Sequence, residues 1–295
     1  MVARTDASCL ICGTGGARLH HDQGHRRVLR CPGCKLVFVD PLPPSDEKAE
    51  VERAAFEGES LPETAQFFAE CGGDYKEGPL VRDFTDALDA IGAVHEPGRM
   101  LEVGVGTGLF LHLARRRGWQ PFGIDIAEGS ARQAAADFDL SVDVGDFADY
   151  AYDPTTFDCV AMLDVLEHTL NPVSVLAKAY SVLRPGGVIY IAVPNQHSML
   201  TRLVDVYAKC HGPATQWMLE RLYVIPHLYY FTPGLLSSVL ASAGFEMLSV
   251  EGAKPYLGRY GLPLWIRVPA EIVLRIGSVL GMPARTLVLA RRPVA

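Results

Sequence analysis

The chain has no run approaching the roughly 18 uncharged apolar residues that a bilayer-spanning helix needs. Its start, MVARTDASCL, has neither the basic opening nor the apolar centre of a secretory leader. These absences exclude a membrane span and lead us to expect a soluble, cytoplasmic protein. An excess of basic charge is also missing: 27 Lys and Arg stand against 34 Asp and Glu, a formal net charge of -7. A surface of that sign repels a phosphate backbone, so nucleic acid is disfavoured as a partner. No internal repeat or low-complexity tract is visible. With 295 residues, 49% hydrophobic and 21% charged, the chain is long enough for a full core and too balanced for disorder.

Cysteine is scarce, at seven residues, yet four of them fall within the first 34 positions. They form Cys9-Leu-Ile-Cys12 and Cys31-Pro-Gly-Cys34, with 18 residues between the pairs. This is the spacing of a tetrahedral four-thiolate zinc site, each pair making a knuckle that aims two sulfurs at one metal. Gly13 and Gly33 give those turns backbone freedom. A reducing compartment argues against disulfides. Four protein thiolates leave no open coordination position, so the predicted zinc is structural and folds a ribbon too small to hold itself. His20, His21 and His25 are expected on the ribbon surface, and Cys71, Cys159 and Cys210 as buried free thiols. Residues 1–40 carry six basic and three acidic side chains, which leaves the remainder at -10.

Pro41-Leu-Pro-Pro44 marks a stiff connector, and a charged helix is predicted over Ser45 to Glu59. Between Leu80 and Val94 the residues Val81, Phe84, Leu88 and Ile91 recur at helical spacing. From residue 99 short apolar runs alternate with helical stretches, the pattern of a parallel sheet covered on both faces. Strands are predicted at 100–105, 121–126, 141–144, 157–163, 188–193, 245–251 and 286–290, and helices at 108–117, 130–138, 172–183 and 233–243. The expected class is α/β, a doubly wound, mostly parallel sheet with a small amino-terminal zinc ribbon. Its divisions are a ribbon at 1–44, a helical linker and cofactor cover at 45–97, and the main domain at 98–295. That domain contains an insert at 195–232 and a helix at 262–283.

The first strand spills into a glycine turn, Glu102-Val-Gly104-Val-Gly106-Thr-Gly108, at the start of a helix. Bare backbone there lets a ligand approach unpaired N–H groups. Leu109 stands where a dinucleotide fingerprint would place its last glycine. Glu102 would repel a pyrophosphate but suits a ligand bearing an amino group or a sulfonium. Asp125 ends the second strand, where a carboxylate accepts ribose hydroxyls. Asp146-Phe147 follows the third and offers an acceptor and an aromatic face to a base.

In this combination, with Asp158 to Leu163 and Leu183-Arg-Pro-Gly-Gly187, the chain resembles the class I S-adenosylmethionine-dependent methyltransferases. The resemblance implies a Rossmann-like sheet of seven strands with the last antiparallel between the fifth and sixth. It places Gly104 and Gly106 at the methionine part of the cofactor, Asp125 at the ribose, and Asp146 and Phe147 at the adenine, with Glu102, Gly108 and Ile126 as further cofactor-binding residues. Leu163 falls on the sulfonium side, Tyr75 in a covering segment, and S-adenosylhomocysteine is the implied product. The ribbon followed by such a domain is similar to zinc-containing small-molecule methyltransferases of bacterial secondary metabolism.

A sulfonium methyl is already activated, so catalysis is chiefly in-line placement of the acceptor and removal of its proton. After the fourth strand comes Asp164-Val-Leu-Glu-His168, similar to the corresponding element of ubiquinone-type O-methyltransferases, and His168 is the first candidate base. Asp164 and Asn195 alone are too few ligands for a metal-assisted mechanism. The 38 residues from Asn195 to Thr232 exceed an ordinary connection and are expected to form a helical lid, with helices at 199–207 and 215–223. Asn195, His197, Trp217, Tyr223 and Tyr230 are the candidate acceptor residues there, and His227 is the second candidate base. Their rings suit an aromatic acceptor. In the segment 262–282, Arg267, Glu271 and Arg275 form one polar stripe on an apolar helix, expected to pack between strands or at a homodimer contact, with a membrane-surface helix as the alternative. The expected activity is methyl transfer to a small-molecule acceptor, at oxygen. An RNA methyltransferase gripping substrate with the ribbon, C- or N-methylation, and a non-methylating cofactor binder are the alternatives.

Overall fold

The structure is a computed structural model that describes residues 6–24, 26–57, 79–253 and 263–294. Tyr75, His25 and Cys71 lie outside the described residues. The main sheet is built from β4 (Arg99–Val103), β5 (Gln120–Asp125), β6 (Val142–Val144), β7 (Phe157–Leu163), β8 (Leu183–Pro194), β10 (Glu246–Ala253) and β11 (Arg285–Arg291). Its order is β10-β11-β8-β7-β4-β5-β6, with β11 antiparallel to both neighbours and the strands from β8 to β6 parallel. This is the expected seven-stranded topology.

Covering helices explain why β7 and β8 are near-continuous apolar runs, since both faces of a parallel sheet are buried. Alternate residues enter two cores. Leu101, Val103, Val160, Met162, Ile189 and Ile191 face one side, and Met100, Cys159, Ala161, Val188, Tyr190 and Ala192 the other. Each large aliphatic side chain so buried contributes roughly 1.5–3 kcal/mol. The second face is covered by α2 (Pro79–Gly92) through Ala87, Leu88 and Ile91, by α3 (Leu109–Arg116) and by α4 (Glu128–Phe138). On the first face lie α5 (Pro172–Val182) and α8 (Pro233–Ser242). A further helix, α1 (Ser45–Glu57), precedes them in the chain.

The register matters for function. Val103 pairs with Ile124 and with Met162, and Asp125 with Val144. Gly104, Asp125, Asp146 and Leu163 therefore share the carboxyl edge of the sheet, where ligands of such folds bind.

One strand is longer than the sequence suggests. β8 begins at Leu183 and takes in Arg184-Pro-Gly-Gly187, because Gly186 adopts φ 85° and the pairing with β7 shifts register between Phe157 and Cys159.

The ribbon comprises β1 (Arg18–Asp22), β2 (Arg27–Arg30) and β3 (Val37–Asp40), all antiparallel. A fourth strand, β9 (Tyr229–Tyr230), joins β3 from the far end of the insert, Val37 opposite Tyr230 and Phe38 opposite Tyr229. Sequence reading gave no sign of it. His20 and His21, expected on the surface, are packed inward against Tyr223. His20 Nε2 lies 2.7 Å from the Tyr223 hydroxyl and 3.3 Å from Asp205, partners that make burial of the ring tolerable. Cys159 is buried as expected, whereas Cys210 is exposed.

The insert is helical as predicted, with α6 (Met199–His211) capped by Ser198 and α7 (Gln216–Leu222) following. Helix α9 (Leu264–Val279) lies against α6, so closely that a Cβ on Gly277 would sit 2.8 Å from Met199 Cβ. Its outer face exposes Leu264, Trp265, Val268, Ile272, Ile276 and Val279, and Arg267 pairs with Glu271 along it. Among the described residues no helix is long and apolar enough to cross a membrane.

Candidate active site

The glycine turn sits where β4 ends. Gly104, Gly106 and Gly108 all have positive φ, at 76°, 54° and 83°. Their roles differ. A Cβ on Gly108 would press on Ala134 of α4 at 2.8 Å, so Gly108 lets two helices approach, while Gly104 and Gly106 are only partly buried. Asp125 is fixed behind the turn: Gly106 N–H donates to its Oδ2 at 3.0 Å and Ala127 N–H to its Oδ1 at 2.8 Å. Burial pushes the Asp125 carboxyl up, against the pull of those two N–H groups.

Glu102 is buried one pleat before the turn, and its Oε2 has no hydrogen-bond partner among the described residues. Burial and the nearby Asp125 carry its carboxyl well above the usual range. A buried acceptor without a donor is costly, and a cationic amino group arriving at the turn would supply one. The bare turn, the orphaned Glu102 oxygen and the fixed Asp125 together fit S-adenosylmethionine. Asp146 accepts from Ala148 N–H at 2.9 Å, and Phe147 is turned into the core beside Tyr152. Ile126 and Leu163 are half-buried at the same edge.

Immediately beyond β7, Val165 touches the glycine turn: a Cβ on Gly104 would lie 2.5 Å from Val165 Cγ2. The next residues, Leu166–His168, form a single tight 3-10 turn. His168 Nδ1 is 3.2 Å from Glu52 Oε1 of α1, and its ring meets that of His227 edge-on at 4.7 Å between centroids. Glu167 is buried, with Oε1 4.0 Å from His168 Nε2 and both carboxylate oxygens without a hydrogen-bond partner among the described residues. One ligand atom from each of Glu167, His168 and His227 lies within 4.8 Å of the others.

The two histidines have opposite surroundings. Burial alone would lower His168, but Glu52, Glu167 and Asp164 outweigh it and raise it to about 9. Burial pushes His227 well below its ordinary value, and the cations at His168 and Arg26 push the same way. Burial raises Glu167 to about 8. These surroundings thus favour the imidazolium at His168 and the neutral imidazole at His227.

The sequence names both histidines but not Glu52 or Glu167. Glu52 is one charged residue on a charged helix and carries no local signal. Asp164, considered as a metal ligand from sequence, is held by Arg285 Nη2 at 2.7 Å. Asn195 is also engaged, donating to the Pro283 carbonyl at 2.8 Å and accepting from His197 N–H at 2.9 Å.

The candidate acceptor residues separate into two groups. Tyr223 is fully buried, its hydroxyl shared among His20, Gln196 and Asp205, and Tyr230 packs against it in the joint between insert and ribbon. Trp217 is exposed on α7, and His197 is half-buried after β8.

At the ribbon, Cys9 Sγ lies 3.6 Å from Cys34 Sγ and Cys12 Sγ 3.5 Å from Cys31 Sγ. All four are free thiols whose sulfurs lie within 4.8 Å of one another. Bonds of about 2.3 Å to a tetrahedral zinc would set sulfurs roughly 3.8 Å apart, so the cluster fits that ion with little movement. Burial pushes Cys9 up to about 11, so its proton must leave when metal enters.

The profile of the methyltransferase-domain family matches residues 75–250, more than half of the chain. Among curated proteins, a ubiquinone biosynthesis O-methyltransferase of Ralstonia nicotianae is 28% identical over 178 residues, covering 56% of this chain and 70% of that one. Among solved structures, phosphoethanolamine N-methyltransferase 2 of Haemonchus contortus, in complex with S-adenosyl-L-methionine, superposes with a TM-score of 0.58 at 17% identity, covering 87% of this chain and 62% of that one. The 4+2 cyclase SpnF superposes with a TM-score of 0.58 at 18% identity, covering 86% and 98%.

Proposed function

We propose that this chain, which belongs to the methyltransferase-domain family and is an S-adenosylmethionine-dependent methyltransferase, methylates a hydroxyl oxygen of a small, aromatic acceptor, as in secondary metabolism. The observation that carries the reading is the pair of edge-packed histidines with opposed protonation beside the glycine turn.

Bound at the turn, S-adenosylmethionine supplies a methyl already activated by its sulfonium. Glu102 would take the amino group, the Gly104 and Gly106 backbone would admit the methionine part, and Asp125 would hold the ribose. Neutral His227 accepts the proton of the acceptor hydroxyl, and the His168 imidazolium, held by Glu52, stabilises the charge that develops on that oxygen. An amine acceptor fits less well: its ammonium form is repelled by His168 and Arg26, and its neutral form needs no base before attack. Similarity to ubiquinone O-methyltransferases supports the choice of oxygen. The four cysteines support a structural zinc.

A second reading of the same cluster is favoured by Glu167. A buried carboxylate with two unpartnered oxygens, facing two imidazoles, is a fitting donor set for a divalent cation. Glu52 behind His168 Nδ1 is the kind of outer partner that orients a metal-binding imidazole and leaves Nε2 free. Such an ion would hold the acceptor oxygen in place of the imidazolium.

Transfer from S-adenosylmethionine labelled with carbon-13 in its methyl, into the small-molecule fraction of source-cell extract, tests the reading. The carbon shift of the new methyl distinguishes oxygen from nitrogen and carbon. An O-methyl signal is expected, and an N- or C-methyl signal overturns the choice of oxygen. Activity that survives chelation mild enough to leave zinc at the four cysteines excludes the second reading, whereas loss restored by magnesium or manganese supports it.

A further inference from the structure

Arg26 is buried, yet it belongs to the ribbon, between β1 and β2. Its guanidinium is spread over one short stretch of the insert's exit. Nη2 donates to the carbonyls of Tyr223 and Val224, both at 2.6 Å, and Nη1 to those of Ile225 at 2.6 Å and His227 at 3.4 Å. Nε donates to Gln23 Oε1 at 2.5 Å, and Gln23 Nε2 donates in turn to the Tyr223 carbonyl at 2.8 Å. Residues 223–227 form no helix or strand of their own. Backbone carbonyls that would otherwise need partners are thus met by a single planar fork, which a lysine cannot reproduce.

That stretch leads straight to the histidine pair. Val39 N–H of β3 donates to the Leu228 carbonyl at 2.9 Å, and Leu228 N–H donates to the Glu167 carbonyl at 2.8 Å. The ribbon therefore grips the loop from both sides of His227, with Arg26 before it and β3 after it, and the loop is tied to the turn that carries His168.

We propose that Arg26 is a positioning residue for methyl transfer: through the carbonyls of residues 223–227 it fixes the loop that presents His227 to His168. The ribbon is then a template for the acceptor side of the site. The inference rests on the role given to His227 above.

Arg26→Lys tests it in the full-length, metal-loaded protein, with zinc content measured alongside so that a ribbon failure is recognised. Amide hydrogen exchange needs no acceptor and is read first. Exchange at Leu228 and Tyr230 is expected to rise by about tenfold or more, as charge-assisted bonds to several carbonyls are lost, while exchange in β4 and β5 and affinity for S-adenosylhomocysteine stay at parental values. Label transfer from methyl-tritiated S-adenosylmethionine is expected to fall about tenfold, without a change in KM for that donor. In a His227→Gln background the same Arg26→Lys substitution should reduce the residual rate no further, because the two act through one group. Parental exchange at 228–230 overturns the proposal, and so does a loss of rate that adds fully to that of His227→Gln. His227→Gln at the parental rate overturns the base assignment instead, and leaves the grip on the loop to be judged by exchange alone.

Discussion

His168 and His227 sit ring to ring, and the charges that face them set their protonation apart. Glu52 and Glu167 hold His168 as a cation up to about 9. The imidazolium is present below that value and lost as pH rises through it, so turnover of the enzyme with zinc at the four cysteines and no ion at the histidine pair should fall on the alkaline side near 9. Glu52→Gln removes the strongest of the three carboxylates that raise His168 and should move that fall to lower pH, which a pH-rate profile reads. The same linkage makes the His168–Glu52 attraction stabilise the fold fully below about 6.5 and fade as pH climbs through 9. At the cofactor turn, Gly104→Ala forces an alanine to φ 76° with its Cβ against Val165. The left-handed backbone alone costs about 1–2 kcal/mol, so S-adenosylhomocysteine affinity should drop at least about tenfold, as measured by calorimetry. The glycine turn, Glu102 and Asp125 were legible because each lies at the end of an apolar run whose register is nearly predictable. Glu52, Glu167 and Arg26 were not, since their meaning comes from partners 60 to 200 residues away.

Among the elements, the parallel strands could be placed to within two residues or so at most ends, because a strand buried on both faces must be apolar throughout. The two insert helices were likewise visible in their spacing. β9 could not be. Two tyrosines make no strand on their own, and they become one because β3 offers an open edge beside them. This pairing would give a zinc ion at the four cysteines a role far from its ligands. If chelation melts β1 to β3, β9 loses its neighbour and His227 its support, whereas the turn after β4 is untouched. Removal of zinc is therefore expected to abolish methyl transfer while S-adenosylhomocysteine binding persists, a contrast that binding and label-transfer assays on the same sample would show. Cys31→Ser should behave alike, because Cys31 is fully buried and weakens the ribbon from within.

Across the whole molecule, the ribbon shares its core with the methyltransferase sheet: Cys31, Leu29 and Phe38 belong to the same apolar cluster as Leu101, Val160 and Tyr229. Composition and spacing suggested a separate small module, and nothing local could have revealed that its inner face is completed by the main domain. We expect a single thermal transition for the zinc-loaded protein, with two resolved transitions contradicting a shared core. In the proposed mechanism His227 removes a proton from a small-molecule hydroxyl at a cofactor site that works independently of it. The most direct measurement is label transfer from methyl-tritiated S-adenosylmethionine into small-molecule, RNA and protein fractions by the parent and by His227→Gln, with S-adenosylhomocysteine affinity measured for both. Label is expected in the small-molecule fraction for the parent, with a fall of about 10²–10⁴ for the variant and equal affinities. Label in RNA or protein, or a variant as fast as the parent, would contradict the mechanism.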